Sequence, residues 1–261
     1  TKWGEFCNEI RSITEDAQGL LWLGTAKGVF VLNPQTKQIQ PLPANASLTK
    51  AEYYIHTILA DGKQVWIGTE TGLYCYDIAT KSFELFQKSD KPGSIPDNAA
   101  VAIAKNPKTG HIAVGSYNST ISLLDPKTKR FRRIPLELNG NYTIKALIST
   151  REGTFWGGTY GGGIFSYDEA KEQFSVYQHD IFNPSGLCSN LIKGIFQDQS
   201  GLIWFCSIRD GISRFNPSLQ SFSYPFEDIG YKPQSANGSM VNRLFVDNLN
   251  HLWIASNDGL I

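Results

Sequence analysis

Gly19-Leu20-Leu21-Trp22-Leu23-Gly24 reads as a short apolar strand centred on a tryptophan, and its pattern returns along the whole chain. Tryptophan fills the centre at Trp22, Trp66, Trp156, Trp204 and Trp253, and Ala113 takes the same slot in Gly110-His111-Ile112-Ala113-Val114-Gly115. Successive anchors stand 43 to 49 residues apart. The register inside each unit is tighter than that step. An Asn or Asp falls 11 or 12 residues after the anchor, at Asn33, Asp77, Asp125, Asp168 and Asn216. A second apolar landmark falls 17 or 18 residues on, at Ile39, Phe83, Phe131, Phe174 and Phe222. Upstream, Ile13, Ile58, Ile103, Leu147, Ile195 and Leu244 sit 8 to 10 residues before it. Self-similarity at a fixed period of this length marks a tandem array, and it has to be read before any single element.

Each unit resolves into four short strands. Strand a is apolar, as in Ile10-Arg11-Ser12-Ile13 or Leu191 to Phe196, and strand b carries the tryptophan. Strand c follows a Gly-rich turn, as in Val29-Phe30-Val31-Leu32 or Leu73-Tyr74-Cys75-Tyr76. Strand d follows a polar turn such as Asn33-Pro34-Gln35-Thr36-Lys37, and ends the unit in runs such as Lys129 to Ile134. These β-branched and aromatic runs are bounded by turn formers, and no segment keeps the 3.6-residue apolar spacing of a substantial helix. Four strands per repeat of this length predict an all-β chain, a β-propeller of four-stranded antiparallel blades. The indole is expected to pack between neighbouring sheets. The glycine two residues on (Gly24, Gly68, Gly158) is expected to let adjacent backbones approach. The units run near 8–52, 53–96, 97–141, 142–188, 189–238 and 239–261, five complete and the sixth stopping at the start of its third strand. The expectation is a propeller segment of a larger array.

Composition narrows the function. The 261 residues carry 24 Lys+Arg and 24 Asp+Glu, so the net charge is zero. Wrapping nucleic acid or lying on an anionic membrane needs a basic face, so neither partner is expected. The longest apolar run, Ala99 to Ala104, is six residues, against the ~20 of a spanning helix. No charged segment followed by an apolar one opens the chain, which leads to the expectation that any signal peptide has been removed. The four cysteines, Cys7, Cys75, Cys188 and Cys206, have no CxxC spacing and read as small buried hydrophobes; a disulfide cannot be assigned from sequence.

The stretches Gly19 to Val29 and Trp66 to Leu73, with the strand-a leads Ser189 to Asp198 and Asn8 to Asp16, resemble the two-component regulator propeller repeat. That resemblance covers nearly the whole chain. The third unit departs from it by Ala113 and Gly115-Ser116, the fifth by Cys206-Ser207 and the sixth by Ala255-Ser256. It implies the sensor half of a bacterial hybrid two-component system. In that family two propellers and a β-sandwich lie outside the inner membrane, followed by a membrane helix and a histidine kinase, and the usual inducers are glycan breakdown products. The implied role is therefore a periplasmic, carbohydrate-responsive segment, with sister propeller and sandwich domains, or a second protomer, as partners.

Catalytic chemistry is not expected in this segment, a propeller glycosidase or lyase being the lesser alternative. No Gly-x-Ser-x-Gly elbow, P-loop or Gly-x-Gly-x-x-Gly occurs. His56, His111, His179 and His251 are scattered without zinc spacing, and Asp16-Ala17-Gln18-Gly19 and Asp247 to Asn250 read as turns, so no metal or cofactor is expected. Asp77, Asp125 and Asp168 recur at one equivalent place per unit, whereas a glycosidase carboxylate pair would be singular. Strands alternate direction, so b–c turns and d–a crossovers share one face. That face carries the sequence variation: Lys27, Glu70-Thr71, Tyr117-Asn118, Tyr160-Gly161, Ile208-Arg209-Asp210 and Asn257-Asp258. Function concentrates on variable loops over a rigid scaffold. Tyr117, Tyr160 and Arg209, with Lys27 and Asp258, are the expected ligand contacts, tyrosine stacking on a sugar ring and arginine holding a carboxylate or sulfate. Tyr53-Tyr54-Ile55-His56 is a further candidate. Phe182, Phe226 and Tyr231, on the longer crossovers, would instead anchor a docking surface.

Overall fold

The structure, a computed structural model, describes residues 9–42, 54–136, 138, 140–183, 185–223, 241–247, 251–256 and 259–260. Among them every regular element is a strand. The first sheet is β1 (Ile10–Glu15), β2 (Leu21–Thr25), β3 (Gly28–Asn33) and β4 (Gln38–Pro41). The second is β5 (Ile55–Asp61), β6 (Gln64–Thr69), β7 (Leu73–Asp77) and β8 (Ser82–Phe86). The third is β9 (Ala102–Lys105), β10 (Ile112–Gly115), β11 (Thr120–Asp125) and β12 (Arg130–Pro135). The fourth is β13 (Ile144–Ser149), β14 (Thr154–Thr159), β15 (Ile164–Asp168) and β16 (Gln173–Tyr177). The fifth is β17 (Ile192–Gln197), β18 (Ile203–Ser207), β19 (Ile212–Asn216) and β20 (Ser221–Ser223). The sixth has β21 (Val241–Val246), β22 (Leu252–Ser256) and β23 (Gly259–Leu260). Each sheet pairs its strands in chain order, five of four strands and one of three. This is a β-propeller fold with five complete blades and a partial one, and the predicted strands lie within a residue or two of those observed. The chain divides into two compact units, Thr1–Ile103 with Ser122–Arg133, and Ala104–Ile121 with Ile134–Ile261.

Sequence explains each turn. The recurring Asn or Asp caps the c–d turn with its own side chain: Asn33 Oδ1 accepts from the Gln35 and Thr36 amides, and Asp77 Oδ1 from those of Ala79 and Thr80. Asp168 and Asn216 repeat the arrangement. The turn closes through a left-handed residue, as at Lys37 (φ 55°), Lys81 (56°) and Glu172 (52°). These Asn and Asp side chains are therefore turn caps, a role short polar side chains favour.

The a–b turn uses another aspartate, six residues before the tryptophan. Asp16 Oδ1 accepts from the Gln18 and Leu20 amides while Oδ2 accepts the Trp22 indole N–H at 2.7 Å. Asp198 does the same for Ser200, Leu202 and Trp204, and Asp247 accepts the Trp253 indole at 2.9 Å. One carboxylate thus closes a turn and fixes the anchor ring.

The anchors pack as the repeat predicts. In the first unit Trp22 joins Val29, Val31, Ile55, Ile58, Ile67 and Tyr76 in one buried cluster that spans the first and second sheets. In the second unit Trp156 packs on Phe205 (5.7 Å) and Phe215 (5.0 Å) of the fifth sheet, and Trp204 clusters with Ile212 and Ile254. A Cβ on Gly24 would come within 2.7 Å of Ile55, one on Gly158 within 2.4 Å of Ile192, and one on Gly68 within 2.4 Å of the Ala100 carbonyl oxygen. Those glycines are needed for close approach between sheets. Trp253 departs from the expectation: it is 40% exposed. Cys75, Cys188 and Cys206 carry free thiols, Cys75 and Cys206 buried and Cys188 partly so; Cys7 lies outside the described residues.

Candidate functional site

The b–c turns are built on the residue that follows the anchor glycine. Thr25 Oγ1 donates to the Gly28 carbonyl (2.9 Å) and accepts the Lys27 amide (3.0 Å). Thr69 brackets Gly72, and Thr159 brackets Gly163, in the same way. In the fifth sheet Ser207 Oγ accepts from the Asp210 amide at 2.6 Å. The Gly-Thr pair of the repeat is thus the approach glycine expected from the sequence, followed by a turn clamp that the sequence did not point to.

The turns are tied by backbone bonds to the segments that enter strand a. The Ala100 amide donates to Thr69 O, the Ile144 amide to Ser116 O, and the Gly161 amide to Asn190 O. The Tyr160 amide donates to Thr143 O, and the Ile208 amide to Leu191 O. Within each compact unit, turns and crossovers are therefore held together at the same end of the strands, as the alternation of strands predicts.

In the second unit this face presents Tyr160, 52% exposed, Tyr117, 40% exposed, and the exposed Arg209. Tyr160 forms an isolated antiparallel bridge with Leu191, so its backbone is fixed while its ring stays open. The Lys145 ammonium lies 5.8 Å from the Tyr117 ring centroid. Lys27 is an exposed turn residue of the first unit. Asp258, Asn257, Tyr53, Phe226 and Tyr231 lie outside the described residues.

A feature missed in the sequence lies beside these turns. The first strand of the first, second, fourth, fifth and sixth sheets breaks step at one residue: Ile10 pairs with Thr25 and Ser12 with Gly24, so Arg11 is the extra residue of a β-bulge. The same slip isolates His56, Lys145, Lys193 and Asn242. Bulges re-aim side chains at the ends of ladders. Here four of the five bulged residues are basic or imidazole-bearing, and all five sit two residues before the apolar landmark of strand a. That regular polar position was the available signal. In the first unit it builds a cluster: the Arg11 guanidinium lies 3.8 Å from the Tyr54 ring centroid, Tyr54 meets His56 edge-on at 4.9 Å, and His56 Nε2 contacts Glu70 Oε1 at 2.8 Å. Among the described residues no group of three or more His, Cys, Asp or Glu is placed to hold a metal ion, and no helix is long and apolar enough to cross a membrane.

Comparison with known proteins places these features. The family model described as the two component regulator propeller matches residues 4–27, the stretch holding β1, the a–b turn and β2, so the chain carries that repeat. No curated protein matches the chain. Among solved structures, it resembles an extracellular domain from B. thetaiotaomicron described as part of a hybrid two component system, at 22% identity and TM-score 0.65, over 97% of this chain and 33% of that one. A second such domain from B. thetaiotaomicron matches at 19% identity and TM-score 0.55, over 97% and 39%. Virginiamycin B lyase from Staphylococcus aureus matches at 16% identity and TM-score 0.72, over 94% and 77%. At these identities the likeness establishes the fold. The chain spans a third to two fifths of the length of the extracellular domains it resembles.

Proposed function

We propose that this chain, a β-propeller carrying a two component regulator propeller repeat, is a non-catalytic, ligand-sensing segment of an extracytoplasmic receptor. It binds glycan-derived oligosaccharides, or relays their binding, to a transmembrane histidine kinase from the periplasmic side. The observation that carries this reading is the repeat at residues 4–27, on a fold shared with extracellular domains of such systems. The site is the b–c turn face. Tyr117 and Tyr160 are exposed in b–c turns, Tyr160 with its backbone held by the bridge to Leu191; the Lys145 ammonium lies over the Tyr117 ring, and Arg209 stands exposed in the b–c turn of the fifth sheet. That combination suits an oligosaccharide bearing a carboxylate or sulfate, with the ring on tyrosine and the anion on arginine.

The test is binding of inducer to the intact receptor with Tyr160→Ala and Arg209→Ala. A loss of about tenfold or more is expected, and unchanged affinity rejects this face. One observation favours a second reading, a docking surface for a sister propeller, a sandwich domain or a second protomer. Ile181 and Phe182, on the crossover before the fifth sheet, are 75% and 88% exposed. Phe182→Asp would then weaken assembly while leaving ligand affinity intact.

A further inference from the structure

The zero net charge of the whole chain, which argued against a basic face, conceals a segregation. Residues 81–133 hold ten Lys+Arg against four Asp+Glu, whereas residues 152–261 hold six against eleven. The excess of cations is densest in the last turn and strand of the third sheet, Asp125-Pro126-Lys127-Thr128-Lys129-Arg130-Phe131-Arg132-Arg133, where five of nine residues are cationic. The equivalent nine-residue stretches of the other complete units, starting at Asn33, Asp77, Asp168 and Asn216, carry at most one Lys or Arg each. Those stretches form the same turn and the same fourth strand, β4, β8, β16 and β20. Folding of the repeat therefore does not call for these charges, and the other edge strands are guarded against stray pairing with far fewer.

The fold sets them out along an outer edge. β12 pairs with β11 alone, and the Phe131 amide donates away from the sheet to the Gly93 carbonyl at 2.9 Å, which ties the preceding crossover to the strand. Phe131 and Ile134 are buried, while Lys127, Lys129, Arg130, Arg132 and Arg133 are all exposed. At ~3.3 Å per residue this row extends about 20 Å. Lys129 pairs with Glu84, and Asp125 caps its own turn by accepting from the Lys127 amide and the Thr128 hydroxyl, each at 2.9 Å. Among the described residues no acidic side chain pairs with Lys127, Arg130 or Arg133.

We propose that this edge is a docking surface for an anionic lipid bilayer, held by charge at the level of the phosphate headgroups and without insertion. Two features select that partner. No apolar side chain from 127 to 134 is exposed, whereas the centre of a protein interface is depleted in charge and needs buried aromatic or aliphatic anchors. Three of the five cations are arginine, whose planar fork takes phosphate oxygens two at a time. The preference for a bilayer over a nucleic acid rests on the extracytoplasmic reading above; the cationic edge itself does not. Each cation brought to an anionic surface multiplies the partition about fivefold, so a handful suffices for reversible attachment.

The test is co-sedimentation of the whole chain with vesicles of phosphatidylcholine alone, and of phosphatidylcholine with one third phosphatidylglycerol, at low and at physiological salt. Binding is expected to the anionic vesicles only, and more weakly at the higher salt. Arg130→Gln with Arg132→Gln and Arg133→Gln should lower the partition about a hundredfold, and Arg133→Gln alone about fivefold. The single variant decides the matter if the triple one does not fold. Lys37→Gln with Lys63→Gln and Lys108→Gln removes the same charge from other exposed turns and should lower the partition far less. Absence of binding to the anionic vesicles, equal binding to the neutral ones, or an equal loss in the three-lysine variant would overturn the proposal. So would displacement from the vesicles by heparin, polyglutamate or duplex DNA at an equal concentration of charge. No inducer enters these measurements, so the turn-face site stands or falls separately.

Discussion

Replacing Asp198 by alanine probes the device that joins each a–b turn to its anchor ring. The carboxylate accepts four hydrogen bonds: the Trp204 indole N–H at 2.7 Å, the Ser200 amide at 2.9 Å, the Ser200 hydroxyl at 2.6 Å and the Leu202 amide at 3.0 Å. Water can replace it at the exposed Ser200, so the turn donors should cost about 1 kcal/mol, as for a lost cap. The indole lies in the seam between sheets, and its bond to a charged acceptor is worth ~1.5–3 kcal/mol. The sum is about 2.5–4 kcal/mol for Asp198→Ala. Asp198→Asn should lose less, about 1.5–2 kcal/mol, because its amide oxygen can serve either the turn or the indole. Urea unfolding followed by far-UV circular dichroism measures these losses. A cycle with Trp204→Phe should give a coupling of ~1.5–3 kcal/mol. The pH dependence has a fixed sign. Burial opposes ionisation of Asp198, but the hydrogen bonds from Ser200, Trp204 and Leu202 outweigh it and hold the carboxyl below its ordinary range. Its contribution is therefore complete above the unfolded carboxylate value of about 3.9, and is lost as pH falls through the lower folded value. Asp198→Ala should flatten this part of the acid limb. A loss under ~0.5 kcal/mol, or negligible coupling to Trp204, would refute the reasoning.

Gly158→Ala should destabilise by ~1–3 kcal/mol, because the new methyl meets Ile192 at 2.4 Å in a filled seam, and thermal unfolding would measure it. Glu169, whose side chain is 7% exposed, accepts from Asn106 and Thr109 at 2.9 Å and contacts His111 Nδ1. Glu169→Ala should therefore cost ~2–3 kcal/mol by the same assay, with Glu169→Gln recovering part of it. Burial, with help from Glu84, pushes the Cys75 thiol up to about 12, so in the native protein it should resist alkylation at pH 8 and react only on unfolding, as read by mass spectrometry.

The strands were legible because the apolar landmarks hold register within each unit, and the inter-sheet role of Gly24, Gly68 and Gly158 followed from their constant offset to the anchor. The Asp–indole bond was legible in principle, since Asp16, Asp198 and Asp247 all stand six residues before a tryptophan. The pattern was obscured by Ala60 and Thr150 at the equivalent places, and the Trp66 indole N–H is indeed buried without a partner. The bulges at Arg11, His56, Lys145 and Lys193 were not legible as bulges, because one slipped residue leaves the apolar landmarks where they were. The row Trp156–Ser166–Ser175 across the fourth sheet was hidden for another reason: its residues lie on three strands and become neighbours only once two registers are known. The exposure of Trp253 depends on its neighbourhood in space, which its own repeat does not encode.

The central claim is that successive modules bury their indoles against the sheet that follows. It is tested most directly by ¹⁹F NMR of the chain carrying 5-fluorotryptophan, assigned by single Trp→Phe variants, with a soluble paramagnetic reagent added. The account predicts that Trp22, Trp66, Trp156 and Trp204 keep sharp signals while Trp253 broadens. Broadening of any of those four to the extent of Trp253 would contradict it.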